Sequence, residues 1–196
     1  VCFNDYKLCF FQDRSKDKIQ FGNCCDTGLL DDQSSIKWNN YSLQELYTEH
    51  ISLAYEMAVQ SMVLLENVGN TLPFKRSEMN QTIWAIVGPC ANNSVCYRGD
   101  YTAEPESIIP PYLAFVSEFN ASNLLYAPGC VDTACSELNP EMVDALLNVV
   151  KQADVVIYVG GISTQQETEG IDRSKIELPS NQSVLYHKIT LCYGAP

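Results

Sequence analysis

Positive charge and histidine are scarce in this chain, where 12 Lys and Arg stand against 24 Asp and Glu, with only two histidines. The net charge of −12 and pI near 4.4 exclude nucleic acid as a partner, because a phosphate backbone needs a basic face. No two cysteines fall in a CxxC pair, and with so few histidines no metal centre is expected; no cofactor is implied either. No stretch of about 18 or more apolar residues occurs, so no membrane span is expected. GxSxG, P-loop, GxGxxG and HExxH patterns are all missing. His50 falls within a helical pattern and His187 near the end of the chain, which leaves Ser-His or Cys-His chemistry without support. Val1 opens without a basic-then-apolar leader, so a signal peptide is expected to have been removed or never included.

What the chain does have points to the secretory pathway. Nine cysteines occur among 196 residues, together with Asn-x-Ser/Thr sequons at Asn40, Asn80, Asn92, Asn120 and Asn181. That combination reads as an extracellular glycoprotein with disulfides. Cys90 with Cys96, and Cys130 with Cys135, are close enough in sequence to close local loops, although connectivity stays open. Nine is odd, so at least one thiol is free or bonded outside the chain.

The expected fold class is α/β. Residues 1–45, with Cys2, Cys9, Cys24 and Cys25, lack sustained periodicity and read as an irregular lead-in. Residues 46–80 read as a linker helix and connector. Ser42 and Glu45 have capping-box spacing, and Tyr47, Ile51, Ala54, Ala58, Met62 and Leu65 recur at three- and four-residue steps. The helix is expected to stop before Gly69, with its apolar stripe packed into a core.

Residues 81–196 read as a partial α/β sandwich with a mainly parallel sheet. Ile83–Val87 and Val155–Val159 are continuous apolar runs ending at glycine, as expected of strands buried on both faces. Between them lie a weaker helical stretch near Pro111–Phe119, a short strand around Leu124–Tyr126, and a helix opened by Asn139 and Pro140. Met142, Leu146, Val149 and Val150 would supply the buried side of that helix. Strand–helix–strand–helix–strand order implies parallel crossovers.

Open parallel sheets bind ligands beyond the carboxyl ends of their strands. Two loops qualify, 88–101 and 160–173. The second holds Glu167, Glu169, Asp172 and Arg173 within a short span. Spacing alone fits a solvated loop pinned by an Asp–Arg pair as well as it fits a general acid/base.

Several ordered segments together resemble glycoside hydrolase family 3, in its β-xylosidase and α-arabinofuranosidase branch. Ala54–Pro73, with "SMVLLENVGNTLP", resembles the segment that leads from the family's catalytic barrel into its second domain. Ile83–Pro89 resembles the "IAVIGP" strand, Arg98–Tyr101 the "GNY" that follows, and Tyr126–Cys130 through Cys135 the "YAPGC…C" of the xylosidase branch. Val159–Pro179, with "ETEGIDRSKIELP", resembles the acid/base loop. The resemblance spans roughly residues 45 to 185.

It implies a retaining exo-glycosidase acting on xylose- or arabinose-containing oligosaccharides, through an Asp nucleophile and a Glu acid/base about 5 Å apart. The Glu belongs to the domain resembled here. Glu169 is the first choice for it and Glu167 the rival, with Asp172 and Arg173 bracing the loop. The nucleophile belongs to an N-terminal (β/α)8 barrel that has no counterpart before residue 45. Glu66 stands where the family usually has Lys, and Leu185–Pro196 does not resemble the family's next strand. The expectation is therefore a piece of a β-xylosidase-like enzyme, inactive alone. The alternative is a non-catalytic secreted glycan-binding or signalling protein derived from the family. Half a sheet would expose an edge and apolar faces, inviting self-association or a missing barrel.

Overall fold

The computed structural model describes residues 28–29, 31–36, 39, 43–102, 105, 107–118 and 121–194, without the side chains of 43–49 and 121. Cys2, Cys9, Cys24, Cys25, Asn40, Asn120 and the capping Ser42 lie outside the described residues, as does most of the expected irregular lead-in. The chain divides into two compact units, Val1–Val68 and Gly69–Pro196.

In the first unit, helix α1 spans Leu43–Ser61. The expected helix was longer: Met62–Asn67 is irregular, and the turn that reaches Gly69 is left-handed there (φ 69°). The stripe expected to pack into a core is exposed instead, with Ile51 at 64%, Met62 at 72% and Leu65 at 92% of full accessibility. Periodicity reports which side of a helix is apolar, but not whether anything covers it.

The second unit is built on a three-stranded parallel sheet of order β2-β1-β3, comprising β1 (Trp84–Val87), β2 (Leu124–Ala127) and β3 (Val155–Tyr158). In register, Trp84 lies opposite Leu124 and Val155, and Val87 opposite Ala127 and Tyr158. All four residues of β1 are buried, which is why its run is apolar throughout rather than alternating. Alternation still assigns them to opposite faces. Ala85 and Val87 pack with Leu146, Val150, Leu185 and Ile189, whereas Trp84 and Ile86 pack with Phe74, Tyr112 and Phe115.

Helices α2 (Arg76–Met79) and α3 (Pro111–Glu118) accompany the second face. An ion pair between Arg76 and Glu118 joins them at the surface. Helices α4 (Pro140–Val150) and α5 (Gln182–Tyr193) cover the first face. The result is a partial three-layer α/β sandwich. Asn139 caps α4 as its sequence indicates, its Oδ1 accepting from the Met142 amide at 3.1 Å, with Pro140 in the first turn. Its fully buried residues are Val143, Leu146 and Val150; Met142 and Val149, expected among them, are only half-buried.

β3 is half-buried along its length rather than buried on both faces. Among the described residues it is an edge strand, and only β1 has a neighbour on each side. Of the stretch that resembled no family strand, Leu185–Tyr193 lies within α5, ended by Gly194 in the left-handed conformation.

Candidate active site

The loops after β1 and β3 leave adjacent strands at their carboxyl ends, and the backbone makes that junction tight. The Gly88 amide donates to Ala127 O at 3.1 Å and the Cys90 amide to Val159 O at 3.1 Å, so the first loop is tied to both neighbouring strands. Gly88 has φ of 110°, and a Cβ there would stand 2.5 Å from Val159 O, so a side chain is excluded on two counts. A disulfide joins Cys90 to Cys96 and closes the turn beyond. Within it, Asn93 Oδ1 accepts from the Val95 amide at 3.1 Å and the Tyr97 hydroxyl donates to Cys90 O at 2.7 Å. A second disulfide, Cys130–Cys135, closes the loop after β2. Among the described residues Cys192 on α5 carries a free thiol.

The root of the β3 loop rests on buried polar side chains. Gln182, at the start of α5, is fully buried; its Oε1 accepts from the Gly161 amide at 3.0 Å. Its Nε2 donates to Gly161 O at 2.7 Å and Thr133 O at 2.6 Å, so one amide group joins three segments. Ser163 and Thr133, both buried, share a hydrogen bond of 3.0 Å, and the Ser163 hydroxyl and amide donate to Gln166 Oε1, each at 2.9 Å. Among the described residues no buried side-chain nitrogen or oxygen is without a partner, as a buried network requires.

From this base the carboxylates project. Thr168 and Ile171 exchange backbone hydrogen bonds of 3.2 and 2.9 Å across a four-residue turn. Gly170 alone has positive φ in that turn (80°), the signature of a type II turn, and Glu169 occupies its first corner. Glu169 is exposed, and its carboxyl has no partner among the described residues. Glu167 differs, because its Oε2 accepts from the Arg173 amide at 3.0 Å.

Arg173 donates to two backbone carbonyls of the following loop, Lys175 O at 3.3 Å and Glu177 O. Among the described residues it forms no ion pair with Asp172, which is exposed; the Asp–Arg pinning considered from sequence is replaced by these carbonyl contacts.

Two clefts are formed among the described residues. One of about 290 Å³ adjoins the carboxylate loop and is lined by Asp172, Arg173, Lys175 and Glu177 among others. The other, about 230 Å³, lies against Trp84 and Val155, the first residues of β1 and β3, at the end of the sheet where parallel folds do not place ligands. Among the described residues no group of His, Cys, Asp or Glu is arranged to hold a metal ion.

Three residues at this site carried no assigned role in the sequence. Asp100 accepts from the Thr168 hydroxyl and from the Glu169 amide (3.1 Å), reaching across from the first loop. Gln182 was visible only as the middle of a sequon, and Thr133 as an ordinary loop hydroxyl. No periodicity or spacing announces such contacts, although Asp100 does fall inside a family-like segment.

An α/β domain that offers carboxylates beyond the carboxyl ends of a parallel sheet is the class of protein these features define. The chain belongs to glycosyl hydrolase family 3: the model of the Glycosyl hydrolase family 3 C-terminal domain matches residues 62–191. Within the family it sides with the β-xylosidases. It is 33% identical over 151 residues to the exo-1,4-beta-xylosidase xlnD of Aspergillus niger, covering 76% of this chain and 18% of that protein. To the probable beta-D-xylosidase 6 of Arabidopsis thaliana it is 34% identical over 152 residues, again covering 76% and 18%.

Among solved structures it resembles a family 3 exo-beta-xylosidase, XlnD, in complex with a xylobiose aziridine activity-based probe. There the TM-score is 0.69 at 28% identity, over 88% of this chain and 21% of that one. A beta-glucosidase from Listeria innocua in complex with isofagomine shares the fold, with a TM-score of 0.68 at 24% identity over 89% and 23%. The chain thus spans about a fifth of the length of these relatives.

Proposed function

We propose that this chain supplies the acid/base half of a retaining β-xylosidase, with Glu169 as the residue that protonates the departing glycosidic oxygen and later activates water. The carrying observation is the unequal engagement of two neighbouring carboxylates. Glu167 is held by the Arg173 amide, while Glu169 stands at the exposed corner of a turn with its carboxyl unengaged. A general acid must reach its substrate atom directly or through one water, and of the two the carboxyl with neither oxygen engaged is the freer to do so. In this reading Glu167 and Arg173 set the shape of the loop, and Asp172 lies on the rim of the adjoining cleft.

The substrate class follows from the relatives, which are named as exo-xylosidases, and one of which holds a xylobiose-derived probe. Xylo-oligosaccharides, or arabinose-containing ones, are the expected substrates. The retaining mechanism needs a second carboxylate about 5 Å from the first to form the glycosyl-enzyme. Asp100, the carboxylate drawn to the Glu169 turn, is committed to Thr168 and the Glu169 amide, which favours a nucleophile supplied by further polypeptide. The exposed apolar side chains of Ile51, Met62 and Leu65 are in keeping with such a setting. The 196-residue chain alone is expected to release no measurable nitrophenol from a nitrophenyl xyloside.

Secretion with N-glycosylation completes the reading, supported by the sequons and by two closed disulfides.

The test is a pair of substitutions in the polypeptide that carries both this chain and a (β/α)8 domain. Glu169→Gln should lower kcat on xylobiose by a factor of roughly 10² to 10⁴, the range of general acid catalysis. Glu167→Gln should cost far less. The reverse order would move the role to Glu167, and full activity in both variants would remove this loop from the chemistry.

A further inference from the structure

We infer that Asp100 is the positioning residue for Glu169: a strut from the β1 loop that fixes where the acid/base turn stands above the sheet. The inference deepens the function proposed above and rests on Glu169 being the acid/base.

The geometry is specific. Both contacts converge on one atom, Asp100 Oδ2, which accepts from the Thr168 hydroxyl and from the Glu169 backbone amide at 3.1 Å. The two residues belong to one tight turn, whose closing hydrogen bonds are made by Thr168 and Ile171. In such a turn the amide of the first corner points outward and takes no part in closing it. Left alone it would bond water, and the turn could tilt as a unit about its base.

An ionised carboxylate gives that amide a directional acceptor stronger than water. Asp100 also lies on a different strand connection, separated from Glu169 by 69 residues of sequence, so the contact fixes one loop relative to the other. The first loop is itself tied down by its disulfide and by the hydrogen bonds at Gly88 and Cys90. Anchoring therefore runs from β1 through Asp100 to the backbone of the residue carrying the proton. Asp100 touches no reacting atom; it acts through Glu169, and a misplacement of about 1 Å at a reacting group is enough to slow catalysis about a hundred-fold.

Convergence on one oxygen makes the idea separable from a general loss of fold. Asp100→Asn retains an oxygen that can accept from both donors, whereas Asp100→Ala retains none. Amide exchange by NMR on the full chain should show the Glu169 amide exchanging roughly ten-fold faster in Asp100→Ala. In Asp100→Asn it should lie within about two-fold of the parent, because the acceptor survives. Core amides of β1 should be unaffected in both. Unchanged exchange in Asp100→Ala, equal loss in both variants, or acceleration spread through β1 would each overturn the strut.

A turnover assay in the polypeptide with its (β/α)8 domain then links the strut to acid catalysis. Asp100→Ala should lower kcat/KM, which reports formation of the glycosyl-enzyme, roughly ten-fold more on xylobiose, whose leaving group must be protonated, than on dinitrophenyl xyloside, whose leaving group needs no proton. Asp100→Asn should recover most of the loss on xylobiose. Equal losses on the two substrates would overturn positioning of the acid. Failure of the underlying reading looks different: Glu169→Gln would retain full activity while the exchange result at its amide stood.

Discussion

Gln182 grips Gly161 by both backbone groups, accepting from its N–H at 3.0 Å and donating to its carbonyl at 2.7 Å. A fully buried side chain on α5 thereby reproduces what a neighbouring strand would do for the first residues beyond β3.

Gln182→Ala should accordingly be among the most damaging single changes in the second unit. It leaves the Gly161 amide, the Gly161 carbonyl and the Thr133 carbonyl without their partner, at about 1–3 kcal/mol for each group that stays buried and unsatisfied. Gln182→Glu is expected to be at least as harmful, since it keeps the acceptor but turns a carboxylate oxygen toward two carbonyls. Urea denaturation checks both, and a midpoint within error of the parent for either would contradict the assignment.

Two glycines should differ in sensitivity although both have positive φ. At Gly170 a Cβ meets nothing within 4 Å, so Gly170→Ala carries only the conformational cost, about 1 kcal/mol. At Gly88 the same atom would stand 2.5 Å from Val159 O, adding a clash with backbone that cannot move independently of the sheet. Gly88→Ala is expected to cost roughly 3 kcal/mol. Thermal melts of the two variants give the comparison.

Stability should depend on pH at both extremes. Hydrogen bonds from the Ser136 hydroxyl and amide hold the Asp132 carboxyl below its ordinary range. Its contribution is present above the unfolded value of about 3.9 and is lost as pH falls through the lower folded value. Asp132→Asn should therefore trail the parent near neutrality and converge with it in strong acid. Burial pushes the Tyr158 hydroxyl up to about 12. The stability linked to its neutral form is intact below about 10 and lost as pH rises through about 12. Tyr158→Phe should flatten that alkaline loss. Chemical denaturation across pH measures both slopes.

Glycan occupancy should divide the sequons. Asn80 and Asn92 are exposed. Asn181 is half-buried, and its Nδ2 donates to Cys135 O at 3.0 Å and to Ser136 O at 3.1 Å. A glycan on that nitrogen would remove a donor already in use. Glycopeptide mass spectrometry of the protein expressed through a secretory pathway should find sugar at Asn80 and Asn92 and none at Asn181. A glycosylated Asn181 would show that modification precedes folding there.

Much of this protein was legible in its linear order. The apolar runs at β1 and β3, the Asn139–Pro140 start of α4 and the parallel succession of elements follow from local chemistry, because strand-forming apolar runs, helix capping and connection rules act over short distances. The family-like segments, including the loop from Glu167 to Arg173, are local in the same sense. Tertiary structure decided what depends on partners far apart in the chain. It left the α1 stripe exposed and made β3 an edge, since a stripe or strand carries no record of what lies beside it. It occupied Glu167 with the Arg173 amide and left the Glu169 carboxyl open, a difference that two carboxylates of nearly identical sequence setting could not reveal. It also brought Asp100 and Gln182 to the carboxylate loop, because a directional hydrogen bond depends on where folding places two atoms and not on how many residues separate them.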